Sequence, residues 1–330
     1  MTKFLILRFS SIGDIVLTTP VIRCLKEQYP DAEVHYATKK SYQSLLENNP
    51  YIDKVFTLEK SLNDLVSQLK SERYDYIIDL HNNLRTTILK LRLGVKSFSF
   101  DKLNFQKWIL VKFKKNIMPN VHIVDRYMKT VESLGVKNDN KGLDYFIPEK
   151  DEIPLDYLPE NFRIGYAVYA IGGQHETKKL PLPKMIELCK TIQLPLVLIG
   201  GKEDEEKVAP LTPRGRVSSS ELLESETPPL GVGGAVISLC GKCNLNQSAS
   251  IIKNAAIVYT HDTGMMHVAA ALKKKVVSIW GNTVPAFGMY PYQTDYEVIE
   301  NNDLQCRPCS KIGYEKCPLG HFKCMNELKF

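Results

Sequence analysis

The sequence predicts an α/β protein in which helices cover both faces of parallel sheets. Short apolar runs rich in Val, Ile and Tyr alternate with amphipathic stretches, and that alternation is typical of doubly wound sheets. The 330 residues are enough for two domains with separate cores. A polar, proline-containing stretch at 137–160 interrupts the alternation. We therefore predict an N-terminal domain at 1–155 and a C-terminal domain at 156–330.

The predicted strands follow one another with helical patterns between them. In the first domain they cover 4–9, 33–38, 54–58 and 74–80. A helix is predicted directly after the first strand, at 14–28, because apolar residues recur there near helical spacing and Pro30 ends the run. In the second domain the strand signals cover 163–170, 194–199, 256–260 and 275–280.

One stretch of the second domain departs from this pattern. Half of residues 208–235 are Pro, Gly, Ser or Thr, and the stretch lacks apolar periodicity. The composition predicts a flexible surface insertion, and a passive loop is favoured over a regulatory contact.

Composition and charge restrict the class of protein. The 43 Lys and Arg against 37 Asp and Glu give a net charge of +6, which is too dilute to indicate a nucleic-acid-binding protein and fits an anionic small substrate or an acidic membrane surface. The apolar runs fall far short of the roughly 20 residues of a bilayer-spanning helix. No secretory signal pattern is found. We expect a cytoplasmic protein whose eight cysteines are mostly reduced.

The loop after the first strand is the first candidate site. Residues 8–14 read Arg-Phe-Ser-Ser-Ile-Gly-Asp, and such a loop lies at the carboxyl edge of the sheet, where open α/β sheets bind ligands. Gly13 allows a tight backbone, and Asp14 could accept a proton from a substrate hydroxyl. Alternatively, Ser10, Ser11 and Asp14 only cap the helix.

A second candidate follows the predicted strand at 256–260. Residues 260–267 read Thr-His-Asp-Thr-Gly-Met-Met-His and lead into a helical run at 267–272. The unpaired N–H groups of a helix start favour an anion, Gly264 permits its close approach, and His267 could reach a phosphate oxygen. The alternative is a capped helix with His267 packed on the sheet.

Two further clusters follow strands of the second domain. Lys178 and Lys179 precede the helical stretch at 183–190, where a lysine can neutralise a departing diphosphate, although paired lysines are more often solvated. Four acidic residues at 203–206 follow Gly200 and Gly201. One of the four could contact ribose hydroxyls, while the others are expected at the surface.

The C-terminal tail, 306–330, is rich in cysteine. Cys306, Cys309, Cys317 and Cys324 include one pair with metal-ligand spacing, but the other gaps do not form a second close pair. We expect no metal there, and structural zinc held by these four thiols is the alternative. Cys240 and Cys243 lack a nearby partner pair and are interpreted as structural.

Taken together, these motifs resemble the heptosyltransferases of lipopolysaccharide synthesis, glycosyltransferase family 9. The resemblance covers almost the whole chain apart from 208–235, and three separated motifs in the right order are more specific than any one of them. Its motifs are 8–14, Lys178-Lys179-Leu180-Pro181, Asp262-Thr263-Gly264-x2-His267, Trp280-Gly281-Asn282-Thr283-x-Pro285, Asp79-Leu80-His81-x3-Arg85 and His122-x2-Asp125-Arg126-Tyr127.

Membership of this family would imply a GT-B fold, in which two Rossmann-like domains face a central cleft. It would place a lipid-linked saccharide acceptor on the N-terminal domain and an ADP-sugar donor on the C-terminal one, with heptose or a related sugar transferred to the lipopolysaccharide core or another saccharide. The resemblance also implies inversion without a metal, so that no cofactor is required. No nucleic acid is expected as a partner, and peripheral contact with the inner membrane surface is expected.

The resemblance also assigns roles to residues. Asp14 matches the general base, Lys178 the lysine at the leaving diphosphate, and Glu205 the carboxylate that contacts ribose. The diphosphate-binding turn is matched by Thr263, Gly264 and His267, and the acceptor side by Ser10, Ser11, Gly13 and Arg85. The chain departs from the family pattern at 179–181, where many relatives have an aromatic residue before the proline, and at Met265-Met266.

Two other classes of protein compete with this reading. A dinucleotide-dependent oxidoreductase would need Gly-x-Gly-x-x-Gly after the first strand, where this chain has one glycine. A non-catalytic nucleotide-sugar-binding protein of the same fold would have no use for a carboxylate at Asp14. The presence of Asp14 therefore favours the enzyme.

Overall fold

The computed structural model describes residues 1–211 and 235–330, and the chain divides into two compact units. The first unit comprises Met1–Asn104 and Pro119–Phe146, and the second comprises Phe105–Met118 and Ile147–Phe330. Each unit contains one wholly parallel sheet with helices, so the expected pair of doubly wound α/β domains is confirmed. The sequence carries no signal for the assignment of Phe105–Met118 to the second unit.

The sheet of the first unit has the order β3-β2-β1-β4-β5. All four neighbouring pairs are parallel, with Leu5 opposite His35 on one side and Ile77 on the other. The central strand is buried from Phe4 onward because its apolar side chains face helices on both sides of the sheet. The strands are β1 (Lys3–Leu7), β2 (Glu33–Lys39), β3 (Lys54–Leu58), β4 (Tyr76–Asp79) and β5 (Lys96–Ser99).

The helix predicted at 14–28 is wrong as one element, because the structure has two helices there. The first ends at Val16, and the second begins at Thr19 with Pro20 in its first turn. Proline lacks the N–H that a helix interior needs, so it is accommodated where a helix begins. The helices of residues 1–146 are α1 (Ile12–Val16), α2 (Thr19–Gln28), α3 (Leu62–Glu72), α4 (Leu84–Leu93), α5 (Asn104–Phe113) and α6 (Ile123–Glu132).

The sheet of the second unit has the order β11-β10-β9-β6-β7-β8, again with every described pair parallel. Its first strand is shorter than the predicted 163–170, because Glu160–Arg163 is a helical turn that precedes the strand. The strands are β6 (Ala167–Ala170), β7 (Leu196–Ile199), β8 (Val236–Ser238), β9 (Ile257–His261), β10 (Lys275–Trp280) and β11 (Tyr296–Glu300).

The helices of the second half cover both faces of that sheet. The predicted insertion at 208–235 begins too early, because Val208 and Leu211 are buried in the core of this unit, and its residues 212–234 lie outside the described ones. No helix of the described part is long and apolar enough to cross a membrane. The helices are α7 (Glu160–Arg163), α8 (Leu182–Thr191), α9 (Glu205–Val208), α10 (Leu245–Asn254), α11 (Gly264–Ala271) and α12 (Lys323–Asn326).

In both sheets, the candidate motifs lie next to the point where the strand order reverses. The order reverses between β1 and β4 in the first sheet, and between β6 and β9 in the second. In open α/β sheets, ligands bind beyond the carboxyl ends of the strands at such a switch point. Asp14 and Arg85 lie in the first turns of the helices that follow β1 and β4, and Lys178 and Thr263 lie in the segments that follow β6 and β9.

Candidate active site

Asp14 is held by two neighbours at the switch point of the first sheet. It is the third residue of α1, and its Oδ2 accepts a hydrogen bond of 2.9 Å from Ser11 Oγ. Its Oδ1 lies 2.6 Å from Nη2 of Arg8. Asp14 therefore does cap its helix, but its side chain also remains about one-fifth exposed. Capping leaves this carboxylate accessible, so the structural and catalytic interpretations are compatible.

Arg8 is the fixed cation that orients this carboxylate. The residue is buried, and its Nη1 donates to Leu80 O at 2.6 Å and to Tyr127 Oη at 3.0 Å. Burial opposes the charge, but the Asp14 carboxylate outweighs it, and the pKa of Arg8 lies above its usual value. Leu80 and Tyr127 belong to two motifs of the sequence resemblance, which thus meet at Arg8.

The loop after β4 brings His81 and Arg85 to the same edge. Burial and then the Arg8 charge lower the pKa of His81 to about 4, so the ring is neutral near pH 7. The guanidinium of Arg85 lies 5.7 Å from the ring centroid of Phe9. Asp79 is fully buried and structural: it binds Lys90 at 2.8 Å and accepts hydrogen bonds from two backbone N–H groups of this loop.

A cavity of about 460 Å³ lies at the carboxyl ends of β2, β3 and β4. Four of its lining residues are cationic and one is acidic, so it is suited to an anionic ligand. Only Arg85 among these residues was predicted from the sequence, because isolated surface lysines carry no signal. The lining residues are Lys39, Lys40, Ser41, Leu58, Glu59, Lys60, Leu62 and Arg85.

Lys178 lies at the switch point of the second sheet and is paired with Asp262. Its Nζ is 2.6 Å from Asp262 Oδ2 and donates to Asp262 O at 3.0 Å. Thr283 Oγ1 donates to the same Oδ2 at 2.7 Å, so the carboxylate is fixed from two sides. Lys178 keeps about one-sixth of its side chain exposed. Sequence reasoning assigned no role to Asp262 or Thr283, although both stand inside the quoted motifs.

The start of α11 faces a glycine turn. Thr263 is the N-cap of the helix, and its Oγ1 is buried without a hydrogen-bond partner among residues 1–211 and 235–330. A Cβ on Gly173, in the loop after β6, would lie 3.0 Å from Thr263 Cγ2. Gly264 is the first helical residue, and His267 is buried in the following turn. The unpaired N–H groups of a helix start favour an anion, and a hydroxyl beside them can donate to a phosphate oxygen.

The Lys179 side chain is not solvated as its sequence context suggested. The residue is 8 % exposed, forms an ion pair with Glu176 and lies 3.9 Å from Asp204 Oδ1. The prediction of a surface lysine is therefore wrong, because this side chain packs against the Glu176 and Asp204 carboxylates. Lys178 and Lys179 thus contact different carboxylates.

The acidic cluster after β7 divides into buried and exposed members. Asp204 is 1 % exposed, and its Oδ2 accepts a hydrogen bond from Gly201 N at 3.0 Å. Glu205 is exposed, with its Oε2 beside Gly241 in the turn that follows β8. Of the two, only Glu205 has a carboxylate available to a ligand without breaking a turn.

The cysteine-rich tail packs against the loops that follow β6 and β10. Arg307 donates to Gly281 O and, at 2.9 Å, to Thr283 O, while Thr177 and Tyr314 exchange backbone and side-chain hydrogen bonds. All eight cysteines are free thiols. Burial and then neighbouring Cys309 raise the pKa of Cys324 to about 12.

Among the described residues, no three of the four tail thiols have sulfur atoms within 4.8 Å of one another. In the described ranges, the group of potential ligand atoms that lie within 4.8 Å of one another consists of Glu33, His35 and Glu72. Lys3 lies 2.6 Å from Glu33, and Lys54 forms an ion pair with Glu72. Lysines thus neutralise that carboxylate pair.

The replacement Gly281→Ala tests the contact between the tail and the Lys178 loop. The new Cβ would lie 2.8 Å from Thr177 O and 2.6 Å from Met325 Cε. The methionine can move, but the carbonyl can move only with the backbone next to Lys178. We expect a loss of about 1–3 kcal/mol in the free energy of unfolding, measured by urea denaturation. An unaltered urea midpoint would show that this contact contributes little to stability.

His261 predicts a dependence of stability on pH. Its Nε2 accepts a hydrogen bond from Leu180 N at 3.1 Å, and burial, then the Lys179 charge, lower its pKa to about 3. Between about pH 6.5 and pH 3 the unfolded chain binds a proton here that the folded chain does not, so stability falls as the pH falls, by up to about 1.4 kcal/mol per pH unit. Urea denaturation from pH 7 to pH 4 should show a shallower decline for His261→Gln than for the wild type. Equal declines in the two proteins would show that His261 is not the origin of this pH dependence.

Two doubly wound units with polar loops at their switch points are the architecture of a GT-B glycosyltransferase. The profile of glycosyltransferase family 9 (heptosyltransferase) matches residues 62–319. Lipopolysaccharide heptosyltransferase 1 of Campylobacter coli is 23 % identical over 85 % of this chain and 84 % of that protein.

Solved structures of the same family align with this chain. Glycosyl transferase family 9 from Veillonella parvula aligns with a TM-score of 0.70 and 23 % identity, over 92 % of this chain and 86 % of that one. Escherichia coli heptosyltransferase WaaC with ADP aligns with a TM-score of 0.64 and 19 % identity, over 90 % and 93 %. The chain belongs to glycosyltransferase family 9 and is a glycosyltransferase. The expected resemblance is confirmed, and the non-catalytic alternative is disfavoured.

Proposed function

We propose that this protein is an inverting, metal-independent glycosyltransferase that moves heptose from an ADP-sugar to a saccharide of the lipopolysaccharide core. A lipopolysaccharide heptosyltransferase is among its relatives, and a structural neighbour contains ADP. The observation that carries the donor side of the proposal is the buried Thr263 hydroxyl without a described partner, at the start of α11.

The donor diphosphate would bind where α11 begins. The backbone N–H groups of Gly264 and its neighbours and the Thr263 hydroxyl offer donors to phosphate oxygens, and the helix dipole favours negative charge there. Gly173 permits close approach, because a side chain at that position would already touch Thr263. His267 lies in the same turn and Glu205 follows β7, so we assign His267 to the diphosphate and Glu205 to the ribose.

Lys178 would act mainly when the donor bond breaks. In the ground state its ammonium is shared with Asp262, which Thr283 holds in place. As the bond between the anomeric carbon and the phosphate oxygen breaks, its electron pair remains on ADP, and the growing charge attracts the ammonium. Lys178 and the α11 dipole together supply the stabilisation that a divalent cation gives in other transferases. This arrangement supports a reaction without a metal or other cofactor.

Asp14 would accept the proton of the acceptor hydroxyl. The hydroxyl oxygen attacks the anomeric carbon from the face opposite the leaving ADP, which inverts its configuration, and the proton passes to a carboxylate oxygen of Asp14. Arg8 and Ser11 fix that carboxylate. Because the carboxylate is already held in place, little conformational entropy is lost when it is positioned for the reaction.

The acceptor is proposed to be anionic. The cavity at the carboxyl ends of β2, β3 and β4 has an excess of cations, with Arg85 at its margin near Phe9. Ser10, Ser11 and Gly13 belong to the adjoining β1 loop and are assigned to the acceptor side. Phosphate or carboxylate groups on a lipid-linked saccharide would suit these side chains. We place the reaction at the cytoplasmic side of the inner membrane.

Calorimetry with ADP, UDP and GDP tests the donor assignment. We expect ADP to bind the wild type most tightly and Thr263→Val to weaken ADP binding, because the variant keeps the shape of the side chain and removes its hydroxyl. Thr294→Val is a suitable control, because Thr294 bonds Lys274 O in the turn that enters β10. Equal affinity for all three nucleotides, or an unaffected Thr263 variant, would contradict this assignment.

A further inference from the structure

The positive charge of the chain is concentrated in one stretch. Residues 80–124 contain nine Lys and Arg but one acidic residue, Asp101, a net charge of +8. The whole chain has +6, so its remaining residues are slightly acidic. Residues 80–124, which include α4, β5 and α5, are therefore a local cationic region in a chain that is otherwise slightly acidic.

Helix α5, in this stretch, exposes an aromatic cluster. Phe105, Trp108 and Phe113 are 64 %, 48 % and 61 % exposed. Their rings nevertheless contact one another: the centroid of Trp108 lies 6.3 Å from that of Phe105 and 5.2 Å from that of Phe113. Leu110 is the buried residue of the helix. Three large aromatic side chains packed together on the outside of a helix form an apolar patch that soluble surfaces rarely expose.

Lysines flank this aromatic cluster in the sequence. Lys112 and Lys115 are exposed, and Lys107 lies within the helix. Lys114 Nζ donates to Pro308 O at 2.7 Å, which attaches the end of α5 to the second unit. Residues 102–124 contain no Asp or Glu. The helix thus presents aromatic rings and positive charge together on its outer side, while its other side is held by the protein.

We propose that α5 is a docking surface for an anionic phospholipid bilayer. Phenylalanine and tryptophan rings insert at the boundary between headgroups and acyl chains, and flanking lysines are attracted to lipid phosphates. This inference concerns the membrane itself, and it stands or falls without the identity of the donor or acceptor.

The charge distinguishes a lipid surface from a second copy of the chain. A symmetric contact through α5 would bring the lysines of one copy against the lysines of another, which is unfavourable. Helix α4 of the first unit shows the same chemistry independently: Leu84 and Leu91 are each 77 % exposed, on a helix that also contains Arg85 and Arg92. Exposed apolar side chains beside cations thus recur on consecutive helices of the cationic region.

Intrinsic fluorescence tests the proposal on the wild-type protein. The chain has two tryptophans, of which Trp280 is buried and Trp108 is half exposed. Vesicles of phosphatidylcholine with roughly one-third phosphatidylglycerol should shift the emission of Trp108 to shorter wavelength, and brominated lipids should quench it. Phosphatidylcholine alone, or high salt, should give a much smaller response. No shift or quenching with the anionic vesicles would overturn the proposal.

Vesicle flotation with paired variants separates the contribution of the aromatic rings from that of the lysines. Trp108→Ser/Phe113→Ser and Lys112→Glu/Lys115→Glu should each weaken partitioning onto anionic vesicles by about tenfold or more. Two matched controls should bind like the wild type: Ile164→Ser/Leu319→Ser removes exposed apolar side chains elsewhere, and Lys70→Glu/Lys190→Glu reverses exposed charges elsewhere.

Donor binding, stability and oligomeric mass of the same four variants complete the test. ADP affinity and melting temperature should be unchanged in all four variants, because none of the altered side chains belongs to the proposed donor site or to the buried core. If the α5 variants bind vesicles normally, the proposal is wrong. If they bind normally and also change the oligomeric mass measured by light scattering, the aromatic cluster is a protein interface instead.

Discussion

Asp14→Asn is expected to lower kcat by about 10²–10⁴-fold with little effect on ADP affinity, because the amide keeps the size of the side chain but cannot accept the proton. The measurement is steady-state ADP release in the presence of acceptor, with ADP binding by calorimetry. The loss of the Arg8 ion pair should also lower the melting temperature, so turnover must be compared at a temperature where the variant is folded.

Asp75→Asn is the matched control for Asp14. Asp75 is an exposed carboxylate of the same sheet that accepts a hydrogen bond from Lys3 N at 2.8 Å, near the start of β4 and away from the carboxyl edge. It should retain wild-type turnover. If Asp14→Asn also turns over at the wild-type rate, Asp14 serves only as a helix cap, and the proposed mechanism is wrong.

Lys178→Ala is expected to reduce kcat by roughly 10²–10³-fold, the usual effect of removing one contact to a developing charge, which corresponds to about 2.7–4 kcal/mol of barrier. ADP affinity should fall much less, because Asp262 already offsets the ammonium charge before the reaction and the α11 start binds the diphosphate through backbone groups. Parallel measurement of kcat and of ADP binding separates the two effects.

The control for Lys178 has to be chosen from the structure. Lys179 is unsuitable because its side chain is buried and pairs with Glu176 and Asp204, so its removal would disturb packing as well as charge. Lys253 is half exposed and pairs with Glu152 at 2.6 Å, and Lys253→Ala should leave kcat unchanged. Retention of activity in Lys178→Ala would refute its role at the diphosphate. A greater loss of kcat in Lys179→Ala than in Lys178→Ala, at an unchanged melting temperature, would show that the resemblance was aligned one residue out of register.

Much of the fold could be predicted because buried strands are continuous apolar runs. The strand predicted at 275–280 coincides with β10, and the one at 54–58 with β3. The predicted boundaries were wrong at two places. Pro20 lies at the start of a second helix within 14–28, and Glu160–Arg163 forms a helical turn before β6. The membership of α5 in the second unit could not be predicted, because it depends on contacts such as Lys114 with Pro308, far apart in sequence.

The sequence could locate those residues of the candidate site that belong to motifs at strand ends. Asp14, Lys178 and Thr263 all follow strands at the two switch points. Their partners were not predictable, because the contact of Thr283 with Asp262 joins loops from different strands. The same holds for the burial of Lys179, which depends on its contact with Asp204 in the loop after β7. Patterns of residue type locate such loops, but only three-dimensional packing shows which charges neutralise each other.

The most direct test of the central claim is a transfer assay with ADP-heptose and lipopolysaccharide from a heptose-deficient strain. Mass spectrometry should show the addition of one heptose for each ADP released, with undiminished transfer after treatment with EDTA, and NMR should show that the anomeric configuration of the sugar is inverted relative to the donor. Retained configuration, a requirement for an added metal, or release of ADP without transfer of sugar would contradict the account.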